Sequence, residues 1–146
     1  MYLAFERQGI IISSVNTIRY NDIQANFNLR CGSFNIHGQG KTQVKLRKIR
    51  NLFIKGSLDV LLLQETRSDG SDNELRKWQK VFNSKQIYLS SYGTRAVGAG
   101  IIIRSNESFK VIQHHEDPRG RYVWVVGDHE ESRFLFLSFY SPSISK

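Results

Sequence analysis

The sequence predicts an α/β fold, a mixed β-sheet with helices covering one face. Three observations predict it. A strand, a helix and a second strand follow one another between Leu29 and Glu65. A second amphipathic helix follows, and the rest of the chain is a series of short apolar runs separated by turn residues. The 146 residues are 40% hydrophobic and 12% aromatic, enough for a packed core, which excludes a disordered chain.

Residues 1–28 show no sustained period and read as a weakly structured extension, with one short strand in GIIISSV. Glu6, Arg7 and Gln8 interrupt any signal-peptide pattern. From Leu29 the chain becomes organised, as a single region over 29–146. LRCGSFNIHG reads as a strand ending in a turn, and KTQVKLRKIRNLFIK has helical period. Val44, Ile49, Leu52 and Phe53 form its expected apolar face, with Lys41, Lys45, Arg47, Lys48, Arg50 and Lys55 on the wet one. Gly56-Ser57 stops this helix, and LDVLLLQE is an apolar run of strand length. Such a βαβ unit makes the two strands parallel neighbours with a right-handed crossover. Asn35 and Glu65 then emerge at the same sheet edge, where α/β folds place ligands.

SDGSDNELRKWQKVF predicts a helix capped at Asp72 or Asn73 and carrying Leu75, Trp78 and Phe82 inward. Apolar runs at 86–91, 98–104, 108–113, 121–127 and 133–140 predict hairpin-linked strands. Leu135, Leu137 and Phe139 alternate with Phe134, Phe136 and Tyr140, and LDVLLL and AGIII are also apolar on both sides. Strands of this kind expect cover on both faces, yet two helices suffice for one. An uncovered apolar sheet face is therefore expected, and with it self-association or a partner.

Charge and cysteine content narrow the function. Lys and Arg number 21 against 13 Asp and Glu, a net charge of +8 that points to a polyanionic partner. The lone Cys31 excludes a disulfide framework or a cysteine-rich zinc site and is expected in the core. No run approaches the roughly 18 to 20 apolar residues of a membrane-spanning helix, so a soluble, intracellular protein is expected. Two polar clusters are decoys. Gly127-Asp128-His129-Glu130 reads as a hairpin turn. His114-His115-Glu116-Asp117 reads as a polar loop whose adjacent histidines, if on a strand, point to opposite faces. His37 reads as a solvated loop residue.

Four segments, SFNIHG, LLLQET, GAGIIIR and LSFYSPS, resemble in order and spacing the first half of the endonuclease/exonuclease/phosphatase superfamily. Within it, residues 29–146 most resemble the apurinic-endonuclease-like domains of non-LTR retrotransposons. The resemblance implies the N-terminal half of a four-layer α/β sandwich. It implies that Glu65 holds Mg²⁺ with Asn35 beside it, and that Asn35 and Tyr140 meet the scissile phosphate. Arg67, Arg95 and Lys41 are the basic residues expected along the DNA backbone. Ser143 stands where the family has Asn, and the second-half Gly-Asp-x-Asn and Asp-His motifs do not occur after Tyr140. The expected function is thus a fragment, inactive alone and truncated at its C-terminus, of a Mg²⁺-dependent DNA endonuclease encountering DNA in the nucleus. The alternatives are a non-catalytic nucleic-acid or partner-binding module, or a mobile-element remnant.

Overall fold

Among the described residues, two helices, a five-stranded sheet and a three-stranded sheet stack in that order. The computed structural model describes residues 11–20, 23–38, 43–93, 97–105 and 108–141, with backbone alone for 11–28. In chain order the elements are β1 (Ile11–Tyr20), β2 (Ile23–Asn35), α1 (Val44–Lys55), β3 (Val60–Gln64), α2 (Asp72–Phe82), β4 (Ile87–Ser90), β5 (Ala99–Ile103), β6 (Phe109–Glu116), β7 (Tyr122–His129) and β8 (Ser132–Phe139). The first sheet has the order β1-β2-β3-β5-β4 and the second β6-β7-β8. The fold is α/β with a mixed first sheet: β2 and β3 are parallel, while β1–β2, β3–β5 and β4–β5 are antiparallel.

The βαβ unit forms as the sequence predicts, with β2 and β3 in register from Cys31 opposite Val60 to Asn35 opposite Gln64. Every residue of β3 and β5 is buried. One side of this central pair meets the helices, where Leu61, Leu63 and Ile102 pack with Leu46, Phe53, Trp78 and Phe82. The other side meets the second sheet, where Val60, Leu62, Ile101 and Ile103 pack with Val123, Val125, Phe134 and Phe136. Burying Cys31 here pushes its thiol up to about 12, with Asp59 adding to the rise, which keeps it protonated and unreactive.

The structure corrects several expectations. The cover for the second face of the first sheet is not missing: it is β6–β8. These strands alternate, so β7 buries Val123 and Val125 while Trp124 and Val126 on the opposite face stay half-buried. The outer face of the second sheet is therefore the partly open one. In α1 the buried stripe is Leu46, Ile49 and Phe53, spaced i, i+3, i+7. Val44 and Leu52, expected on that face, are 55% and 47% exposed because Leu52 falls on its flank and Val44 on the opposite side of the helix. The α2 cap is Ser71, whose side chain accepts from Glu74 N, rather than Asp72 or Asn73. Strand β6 continues to Glu116, so His114 and His115 lie on a strand, not in a loop. Their rings diverge, His114 against Tyr88 and His115 against Trp124. Upstream, β1 is longer than the short strand expected, and its pairing with β2 runs across residue 28.

Helix α1 provides a direct check. Leu46→Ala is expected to cost about 2–5 kcal/mol through the cavity it leaves. Val44→Ala, at an exposed position, should stay within about 0.5 kcal/mol of the parent. Urea denaturation midpoints measure both, and equal effects would refute the assigned helix face.

Candidate active site

The parallel pairing of β2 and β3 delivers Asn35 and Glu65 to one edge. Asn35 Nδ2 donates to Glu65 Oε1 at 3.1 Å, and Asn35 Oδ1 accepts from His37 N at 3.0 Å. The second carboxylate oxygen, Glu65 Oε2, lies 3.2 Å from His37 Nδ1 and 3.5 Å from an Arg67 guanidinium nitrogen. Glu65 is only 14% exposed, whereas His37 is 71% exposed. Burial pushes the Glu65 carboxyl up, but the hydrogen bonds of Asn35 and His37 and the neighbouring charges of His37 and Arg67 outweigh it. The carboxyl ends below its ordinary range and is ionised at neutral pH.

The backbone that presents this carboxylate is unusual. His37, Glu65 and Arg67 all have φ near +50°, a region non-glycine residues occupy seldom and at a cost of about 1–3 kcal/mol each. Surrounding hydrogen bonds hold them there. Gly38 N donates to Glu65 O at 2.7 Å, Ile36 N to Gln64 O at 3.0 Å, and Arg67 N to Val97 O at 3.0 Å. Two glycines make the close approaches feasible. A Cβ on Gly38 would fall 2.6 Å from Arg67 Cδ, and one on Gly98 would collide with Thr66 Oγ1. Downstream, the buried Glu74 carboxylate accepts from Ser68 Oγ and Asp69 N, which pins the loop leading into α2.

Tyr140 reaches the same edge through backbone. Ser138 Oγ donates to Leu63 O at 2.7 Å, docking the end of β8 on the end of β3. Two residues on, Tyr140 N donates to Arg121 O at 2.7 Å. The turn before β7 also receives Gly98 N at Gly120 O, and Gly98 O in turn accepts from Thr66 N. The turn residue Asp117 organises this hub. Its carboxylate takes Arg121 Nε at 2.7 Å and a second guanidinium nitrogen at 3.2 Å, while its carbonyl accepts from Ser90 Oγ at 2.6 Å.

The structure thus brings together Asn35, Glu65 and Arg67, with Tyr140 tied in by its main chain. Lys41 and Arg95 lie outside the described residues. Among the described residues no group of three His, Cys, Asp or Glu side chains forms a metal-binding cluster. Neither a protein-family profile nor a curated protein sequence matches the chain. Solved structures do. Truncated TDP2 of Caenorhabditis elegans superposes with a TM-score of 0.56 at 21% identity, over 77% of this chain and 46% of that one. An endonuclease/exonuclease/phosphatase family protein of Bacteroides thetaiotaomicron superposes with a TM-score of 0.50 at 12% identity, over 75% of this chain and 48% of the other.

The fold is that of endonuclease/exonuclease/phosphatase proteins. This chain spans just under half the length of either neighbour. In that fold Asn35 and Glu65 meet as the βαβ reading requires. His37 is the residue that sequence reasoning set aside: it is exposed, as expected, yet its ring reaches the Glu65 carboxylate. The usable signal was its spacing, since a tight turn two residues past Asn35 folds the chain back over the edge. Asp117 and Arg121 also went unnoticed as a pair; the i, i+4 separation and Gly120 between them mark a pinned turn.

Asp117 generates a pH prediction. The hydrogen bonds of Arg121 hold its carboxyl at about 2, below the ordinary 3.8, against the upward push of burial. A depressed carboxyl stabilises the fold fully above its unfolded value and loses that contribution as pH falls through the folded one. Stability is therefore expected to drop between about pH 4 and pH 2, and Asp117→Asn should remove this part of the acid limb. Urea midpoints across that range measure it, and an unchanged acid limb in the variant would contradict the assignment.

Proposed function

We propose that the chain is the N-terminal part of a metal-dependent phosphodiesterase acting on DNA, of retrotransposon-endonuclease type. The observation that carries the reading is the Asn35–Glu65 pair at the strand edge of an endonuclease/exonuclease/phosphatase fold, an ionised carboxylate oriented by an amide. Its chemistry suits a hard cation. Mg²⁺ is held by one or two carboxylates together with substrate phosphates while keeping several waters, so Glu65 suits the protein's share of such a site. Bound there, such an ion would supply Lewis acidity toward a phosphoryl oxygen. Asn35, whose carbonyl is engaged by His37 N, acts on Glu65 as a donor and fixes its rotamer.

The remaining residues have definable work. Arg67 is exposed and places a guanidinium beside the carboxylate, suited to a phosphate oxygen. Tyr140 would offer its hydroxyl to the scissile phosphate from the hub at Arg121, and Lys41 and Arg95 would add backbone contacts. Hydrolysis further requires a base for the attacking water and a donor for the leaving oxygen. No Gly-Asp-x-Asn segment or Asp-His pair follows Tyr140 in these 146 residues, so the proposal has them bind metal and DNA without turnover. A second reading, a non-catalytic nucleic-acid-binding module, is favoured by one observation: both Glu65 oxygens already have donors from Asn35, His37 and Arg67.

Calorimetric titration with Mg²⁺ or Mn²⁺ separates the two readings. The first expects binding that Glu65→Gln weakens at least about tenfold, the loss of an anionic hard-cation ligand. Absence of metal binding favours the second. Supercoiled plasmid should not be nicked above background by the 146 residues, and DNA affinity should fall steeply with added salt. A salt-independent affinity would sink the DNA assignment in both readings.

A further inference from the structure

A cavity of about 290 Å³ lies between α1 and the first sheet, with neither Asn35 nor Glu65 in its lining. Phe34, Ile49, Phe53 and Leu61 are among its lining residues, and Leu52 and Lys55 stand at its exposed margin. Its apolar lining is continuous with a flank of α1. Lys45, Lys48, Leu52 and Lys55 are spaced i, i+3, i+7, i+10, so they share one side of the helix. That flank carries three ammonium groups around a leucine that is 47% exposed, and no acid at all. Among the described residues, none of the basic side chains of α1 forms an ion pair.

We infer that this cavity and the lysine flank of α1 form a docking site for an acidic amphipathic segment of another protein. The apolar part calls for aliphatic or aromatic anchors. At about 290 Å³ it is near the lower end of small-molecule pockets, a size suited to a few large side chains rather than an extended acyl chain. The charged part calls for carboxylates placed along those anchors, since Lys55 stands at the cavity margin and Lys48 and Lys45 continue the same side of the helix, none of them in an ion pair among the described residues. A helix with apolar residues at i, i+3 and i+7 and acids between them supplies both. Duplex DNA satisfies the lysines but leaves the cavity without an anchor. The inference stands apart from the phosphodiesterase reading, because neither Asn35 nor Glu65 lines the cavity.

The test uses a synthetic peptide of about 15 residues with Leu at i, i+3 and i+7 and Glu between them, titrated into the isotopically labelled chain. The backbone amides of Gly32 and Gly56, both lining the cavity, serve as reporters by NMR. The peptide should shift both, and Leu52→Glu should weaken binding by roughly tenfold or more, as expected for an anchor contact. Lys48→Glu combined with Lys55→Glu should do the same and reduce the salt dependence. Both variants change exposed residues, and unchanged urea midpoints establish that they fold. Asn35→Ala should leave peptide affinity unaltered whether or not the phosphodiesterase reading holds. Three outcomes overturn the inference. They are no binding, equal binding by a peptide with Ser in place of Leu, and stronger perturbation of the same amides by duplex DNA or phosphatidylserine vesicles.

Discussion

Strand β3 exposes none of its residues, and much of the architecture follows from what must cover it. A five-residue strand that is apolar on both sides cannot sit at a wet surface. Its neighbours β2 and β5 satisfy its backbone, α1 and α2 cover one face, and the β6–β8 sheet covers the other. The helical side is a direct consequence of chain connectivity, since parallel β2 and β3 need a crossover and α1 is that crossover. The opposite side is filled by strands distant in sequence, so the central pair becomes the floor of two cores at once. Because the last residue of β3 is Gln64, the same burial carries Glu65 to the rim, where its carboxylate emerges beside Asn35.

The rim is where local preference yields to tertiary structure. Glu65 and Arg67 occupy left-handed backbone without the freedom of glycine, and His37 does so across from them. Conformations that cost about 1–3 kcal/mol each persist only where the surroundings over-determine them. Here the surroundings are backbone hydrogen bonds from three separate segments, those at 36–38, 97–98 and 120–121. The consequence is a carboxylate whose direction is set by main chain, with Asn35 fixing its last torsion. A group held this way keeps its orientation when a charged ligand arrives, the condition for electrostatic preorganisation.

What the sequence made legible follows the same physics. The βαβ unit, the full burial of VLLL at 60–63 and of AGIII, and the meeting of Asn35 with Glu65 depend on local period and a handedness rule, so they could be read directly. The helix face of α1 could not, because Leu52 is as apolar as Leu46 and only the packing angle against the sheet decides between them. The second sheet was visible as strands but not as a cover: alternation specifies that a strand has two faces, not which other sheet one of them meets. His37 was read rightly as exposed, but its contact with Glu65 stayed hidden for a related reason. Exposure describes one side of a ring, and the other side of this one reaches Glu65. The extent of β1 was hidden by the mixed polarity of Ser13, Ser14, Asn16 and Thr17.

The net charge of +8 also acquires a distribution. Acidic side chains of the described region are engaged locally: Asp59 accepts from Arg30 N, Asp117 pairs with Arg121, Asp128 with Arg133, and Glu74 caps a buried loop. Arg121 and Arg133 offset the charges of Asp117 and Asp128, while Asp59 and Glu74 are held by backbone N–H and hydroxyl donors. Helix α1 carries five basic residues and no acid. The excess positive charge therefore concentrates along one helix instead of spreading over the surface. One end of that helix follows the Asn35 turn, near the carboxylate rim, and the other borders an apolar cavity. A uniform basic surface would attract any polyanion equally. Under the two proposals above, this one would sort its partners by what accompanies their charge, phosphate backbone at the rim and apolar side chains at the cavity.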